Sequence, residues 1–152
     1  MGNDAVYMQE AIRQAKKAKA MNEVPIGAVV VYQDEVITTG YNIRESSQTT
    51  LSHAELIAIE KANQIIGSWR LEECTLYVTL EPCPMCAGAI VQSRIKRVVF
   101  GAPDPKAGCA GTLMNLLQDE RFNHRVELTD DVLRAECSAL LTDFFRRLRG
   151  KN

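Results

Sequence analysis

With 152 residues, 46% of them hydrophobic and 24% charged, the chain has the make-up of a folded globular protein large enough to bury a real core, which excludes a disordered one. No apolar run approaches the roughly 20 residues that span a bilayer, and Met1 to Ala20 lack the apolar centre of a signal peptide, so the cytoplasm is the expected compartment. A formal net charge of −1 gives no overall sign of a nucleic-acid partner, which would have to be met by local basic patches.

No repeat, low-complexity tract or long linker interrupts the sequence, and residues 1–152 read as a single domain. Met8, Ile12, Ala15 and Ala18 recur on one face of an opening helix that Asn3 or Asp4 could cap. The apolar run Ile26 to Tyr32, the polar turn Gln33-Asp34-Glu35 and the run Val36 to Tyr41 read as a β-hairpin. A polar stretch, Asn42 to Ser52, leads to a second helix from Ala54 to Ile66, stopped by Gly67. Thr75 to Thr79 alternates as a strand, Pro82 to Pro84 opens a third helix running to Ser93, and Arg97 to Gly101 is the next strand. That strand–helix–strand order calls for two parallel strands joined by a right-handed crossover. After a loop from Ala102 to Gly111 come a short helix at Leu113 to Gln118, a strand at Val126 to Leu128 and a last helix from Asp131 to Arg149. In the last helix Leu133, Cys137, Leu140, Phe144 and Leu148 form one apolar stripe. The expected architecture is a three-layer α/β/α sandwich around a central mixed sheet of about five strands.

Five cysteines make an odd count and two of them form a C-x-x-C, so metal ligation or thiol chemistry fits better than a disulfide framework. Cys83 and Cys86 fall in the first turn of the third helix, where residues three apart are neighbours. A helix N-terminus favours the thiolate, the form that binds metal. His53 adds a nitrogen, completing a Cys2His set suited to zinc. Structural zinc usually takes four protein ligands, whereas catalytic zinc leaves a position for water, and only three ligands here lie in strong motif positions. Zinc lowers the pKa of a bound water from about 16 to near 7. Glu55 is then placed to take that water's proton and return it to a substrate, as removal of an amino group from a heteroaromatic ring requires.

Each of these residues also has a plainer reading. Ser52-His53-Ala54-Glu55 fits a capping box, in which Glu55 would bond back to the Ser52 amide. Residues two apart in a helix point about 200° away from each other, so His53 and Glu55 share a site only if the helix begins there, and both readings need that start. Cys83 and Cys86 could instead be a thioredoxin-like redox pair. Cys74 and Cys137 read as core packing, Cys109 as a loop thiol or an extra metal contact, and His124 as a surface loop residue.

H-x-E followed by P-C-x-x-C is the pattern of zinc nucleobase deaminases. Four further blocks, Glu23 to Ala28, Gly67 to Leu71, Leu76 to Cys83 and Asp104 to Gly108, make the sequence resemble the bacterial tRNA-specific adenosine deaminases. The resemblance implies a cytidine-deaminase-like fold, one Zn2+ per chain and a homodimer. It also implies conversion of the wobble adenosine of an arginine tRNA anticodon to inosine, with zinc hydroxide attacking C6 and Glu55 relaying protons. By the same resemblance Asn42 holds the target nucleoside, Asp104 and Lys106 border the anticodon pocket, and Phe145 and Arg149 touch the anticodon loop. On residue chemistry alone, the tail Phe144-Phe145-Arg146-Arg147-Leu148-Arg149 offers aromatics and cations that an RNA loop could use, or equally a terminal helix with solvated arginines. Two other functions share the motif: deamination of a free base or nucleotide such as guanine, cytosine or deoxycytidylate, and a non-catalytic zinc module that binds RNA or protein.

Overall fold

The computed structural model describes residues 2–150; Met1, Lys151 and Asn152, the ends of the domain read from the sequence, lie outside the described residues. In chain order the elements are α1 (Asp4–Ala20), β1 (Gly27–Tyr32), β2 (Glu35–Tyr41), α2 (Arg44–Ser47), α3 (Ala54–Ile66), β3 (Cys74–Leu80), α4 (Pro84–Gln92), β4 (Arg97–Ala102), a 3-10 turn (Leu116–Gln118), β5 (Glu127–Thr129) and α5 (Arg134–Gly150). The strands form one sheet in the order β2-β1-β3-β4-β5. β1 runs antiparallel to β2 and β3, and β3, β4 and β5 are mutually parallel. The sheet is mixed and five-stranded, as the patterning indicates.

Alternation along β1 sends its side chains to two cores, as a period-two strand buried on both faces must. Ala28 and Val30 pack with Ala58 of α3 and Ile90 of α4, while Val29 and Val31 pack with Met8 and Ile12 of α1 and Leu140 of α5. Helices thus cover both faces, which gives the three layers. No helix among the described residues is long and apolar enough to cross a membrane.

Local chemistry explains where the elements depart from the sequence reading. Gln33 and Asp34 both take positive φ, 51° and 63°, forming a two-residue hairpin turn whose twist suits the flanking strands, so Glu35 already belongs to β2. Asn3 occupies the N-cap position of α1 but its side chain makes no cap bond. The stretch expected to be loop before α3 contains the single turn α2. The short helix expected at Leu113 to Gln118 is only a 3-10 turn, and β5 is shifted one residue along from Val126–Leu128. The last helix begins at Arg134, because Leu133 sits at φ 55°, outside helical geometry. Of its apolar stripe, Cys137 and Leu140 are buried in the core, Leu133 packs against it partly buried, and Leu148 is 51% exposed.

Candidate active site

Strand direction decides where the functional side chains gather. β3 and β4 are parallel, so the loops after them leave the same end of the sheet, and antiparallel β1 brings its N-terminal end there too. Crevices outside the carboxyl ends of parallel strands are the usual ligand sites of such sheets. Here the end is closed by the starts of two helices. His53 is the N-cap of α3, with extended backbone (φ −86°, ψ 150°), and Cys83 is the N-cap of α4, with Pro84 at its first helical position. Gly40 of β2 lets α3 come this close: a Cβ on it would lie 2.4 Å from the Ala54 carbonyl oxygen.

Because His53 stands just outside the helix, the opposition of residues two apart does not apply, and His53 and Glu55 line the same cavity. The capping box does not form. His53 rather than Ser52 is the cap, no side chain caps α3, and the Ser52 hydroxyl instead accepts a hydrogen bond from Ser47 at 2.8 Å. Glu55 is left for other chemistry, with its residue only 4% exposed.

The ring Nδ1 of His53 lies 3.6 Å from Cys83 Sγ and 3.5 Å from Cys86 Sγ, and the three ligand atoms all fall within 4.8 Å of one another. Zinc bonds of about 2.3 Å to sulfur and 2.0–2.1 Å to nitrogen, set at tetrahedral angles, separate N and S by about 3.6 Å. The cluster therefore has the dimensions of three corners of a zinc site. Among the described residues no fourth such ligand joins it; Cys109 and His124 stand apart. Cys109, with Cys74 and Cys137, is a buried free thiol. His124 lies in a loop, half-buried, and bonds through Nε2 to the Ile95 carbonyl at 2.7 Å.

Electrostatics favour a cation. The Cys83 thiol is pulled down to about 4, first by its hydrogen bond with Cys86 and then by His53, against the opposing effect of burial. Cys86 is pushed far up by Cys83, by burial and by Glu55. Hydrogen bonding to Cys83 raises His53. Burial, with the Cys83 charge adding to it, lifts Glu55 to about 7. Two sulfurs and a buried carboxylate crowded together resist ionising together, and a divalent ion held by the sulfurs would relieve that conflict.

The cluster opens on a cavity of about 480 Å3 that reaches Asn42, Asp104, Lys106 and Phe145. Asn42 is buried, its Oδ1 accepting from the Arg44 amide at 3.1 Å and its Nδ2 donating to the Val24 carbonyl at 3.2 Å. Asp104 accepts from the amides of Lys106 and Ala107 at 3.0 and 3.2 Å, shaping its own loop, and Lys106 is exposed at the rim. Phe145 forms part of the wall with Leu141. Arg149, one turn further along the same face of α5, is exposed and outside the lining. Sequence reasoning missed the wall residues Arg44 and Leu141 and gave no role to the buried Glu23 and Glu81; their only cue is an acid set in an apolar, proline-bounded run, Glu23-Val24-Pro25 and Leu80-Glu81-Pro82.

A histidine and two cysteines at paired helix starts, with a glutamate buried beside them on this sheet, mark the hydrolytic deaminases that use zinc. The chain belongs to the MafB19-like deaminase family, which it matches over residues 2–149. It is 58% identical over 151 residues to the tRNA-specific adenosine deaminase of Bacillus subtilis (strain 168), covering 99% of this chain and 94% of that protein. A transfer-RNA deaminase solved in work on A-to-I editing at the wobble position superposes with a TM-score of 0.85 at 36% identity, over 89% of this chain and 98% of that one. A guanine deaminase from Nitrosomonas europaea, at 22% identity and a TM-score of 0.76 over 92% of this chain and 83% of that one, shares the fold.

Proposed function

We propose that this chain, acting as one deaminase unit over residues 1–152, converts the wobble adenosine of a tRNA anticodon loop, that of an arginine tRNA, to inosine. The observation that carries the reading is a three-ligand cluster with a buried glutamate beside it, opening on a cavity sized for one small ligand. The relatives named for this activity supply the substrate class. His53, Cys83 and Cys86 would hold one zinc per chain, and zinc, when bound, makes water acidic enough to serve as a nucleophile at neutral pH.

The remaining work falls to the chain's own groups. Glu55 accepts the water's proton as its oxygen bonds to C6 and delivers it to the ring nitrogen next to C6. It then takes the proton of the new C6 hydroxyl and passes it to the amino group, which leaves as ammonia as the C6–N bond breaks and C6=O forms. Adenosine and water become inosine and ammonia. The target base reaches this depth only by leaving its stack, and an unpaired anticodon loop makes that inexpensive. Asn42 and Asp104 bound the nucleoside, Phe145 offers a ring face to a base, and Lys106 and Arg149 meet phosphates. The enzyme works as a homodimer in the cytoplasm, where this substrate is found. Incubation with tRNA, guanine and cytidine separately, followed by ammonia assay, tests the substrate. Ammonia from tRNA alone is expected, and ammonia from a free base with none from tRNA would transfer the chain to small-molecule deamination.

A further inference from the structure

Two glutamates outside the reactive cluster are buried as deeply as the apolar core, Glu23 at 1% and Glu81 at 2% exposure. Their partners are peptide groups. Glu23 accepts from the amide of Glu45 at 3.1 Å and from that of Ser46. Glu81 accepts at 3.0 Å from each of the amides of Asp104, Ala110 and Thr112, and also from the Thr112 hydroxyl. Burying a carboxylate is costly unless hydrogen bonds satisfy it, and charge-assisted bonds of this kind are strong. Each glutamate therefore fixes the path of a loop far from it in sequence.

Those loops are the two sides of the cavity. The amides held by Glu23 are in α2, directly after Asn42 and beside Arg44. The amides held by Glu81, from Asp104 to Thr112, bracket the stretch that presents Pro105 and Lys106 to the cavity. The loops follow β2 and β4, which stand on either side of β1 and β3 in the sheet. The second loop approaches so closely that a Cβ on Gly108 would sit 2.4 Å from the Glu81 carboxyl group. We propose that Glu23 and Glu81 are positioning residues, a pair of buried carboxylates that set the spacing of the cavity walls and thereby select the RNA loop that fits between them. This rests on the reading of the cavity as the site of an RNA nucleoside.

The test uses Glu23→Gln and Glu81→Gln in the zinc-loaded protein, each of which turns an accepting oxygen into a donor facing donors. Native-state amide exchange reads the anchors directly. Glu81→Gln is expected to lose protection at Asp104, Ala110 and Thr112 but not at Glu45 and Ser46, and Glu23→Gln the converse. With an anticodon stem-loop RNA, KM is expected to rise about tenfold or more while kcat stays within about twofold, because wall contacts act on binding rather than on the reacting bond. Zinc content is expected to stay unchanged. Unchanged protection, unchanged KM, or a fall in kcat at constant KM overturns the proposal. If Glu81→Gln fails to fold, Thr112→Val removes one donor and keeps the carboxylate; a smaller rise in KM supports the role and an unchanged KM overturns it. Should the wild type form no inosine from this RNA, the substrate reading fails, and the exchange pattern alone decides the anchors.

Discussion

Glu55 and Asp4 show how one side-chain type takes opposite characters from its surroundings. Glu55 sits in the second position of α3, dry and next to sulfur, and its proton affinity rises to about 7 through burial. Asp4 lies at the far end of the sheet, holding Arg97 through two bonds of 2.9 and 2.7 Å and accepting from the Tyr77 hydroxyl at 2.7 Å. Its hydrogen bond with Arg97 is the largest influence and holds its carboxyl below the ordinary 3.8. A depressed carboxylate contributes stability that is present above its unfolded pKa and is lost as pH falls through the folded value. Asp4→Asn is therefore expected to lower stability by about 2 kcal/mol at pH 7, the scale of hydrogen bonds to charged groups. Urea denaturation of both proteins from pH 7 down to pH 2 checks it: the gap closes on the acid side of 3.8, and a gap constant across that range removes the charge from the explanation.

At the level of elements, the His53–Cys83–Cys86 cluster is the product of two helix starts and a missing side chain. The spacing of Cys83 and Cys86 makes them neighbours in a first turn, and it is His53 upstream that turns a pattern shared with redox pairs into a candidate ligand set. His53 and Glu55 were legible as a pair only on condition that α3 begins between them, and it does so at Ala54. Gly40 secures that start from a neighbouring strand. Gly40→Ala is expected to cost about 1–3 kcal/mol, as overpacking does, and to weaken zinc about tenfold or more by shifting His53. Denaturation combined with zinc competition against a chelator measures both; full zinc affinity in a destabilised variant would separate α3 placement from metal binding. Other elements were illegible for a physical reason. In α2 Asn42 holds the Arg44 amide locally, but the amides of Glu45 and Ser46 are satisfied by Glu23, 22 and 23 residues away, a contact no local pattern announces. The last turns of α5 carry a stripe that looks buried by periodicity, yet Leu148 is half exposed.

Over the whole molecule, the mixed sheet converts sequence distance into proximity. His53 and Cys83, separated by 30 positions, meet because β3 ends where α3 begins. Asn42, Asp104 and Phe145 reach the same cavity from three parts of the chain. The metal motif was readable from spacing, the sheet from alternation, and the cavity walls only in part, since loops held by buried carboxylates are set by tertiary contacts. What the proposed function depends on is a His/Cys/Cys cluster able to hold a metal, with the buried Glu55 carboxyl group beside it. Zinc content and inosine formation, measured together on the wild type, Glu55→Ala and Cys83→Ala, test that most directly. About one zinc per chain is expected in the first two proteins and little in the third, with inosine made by the wild type alone. Inosine from Glu55→Ala, or an active Cys83→Ala enzyme without metal, would contradict it.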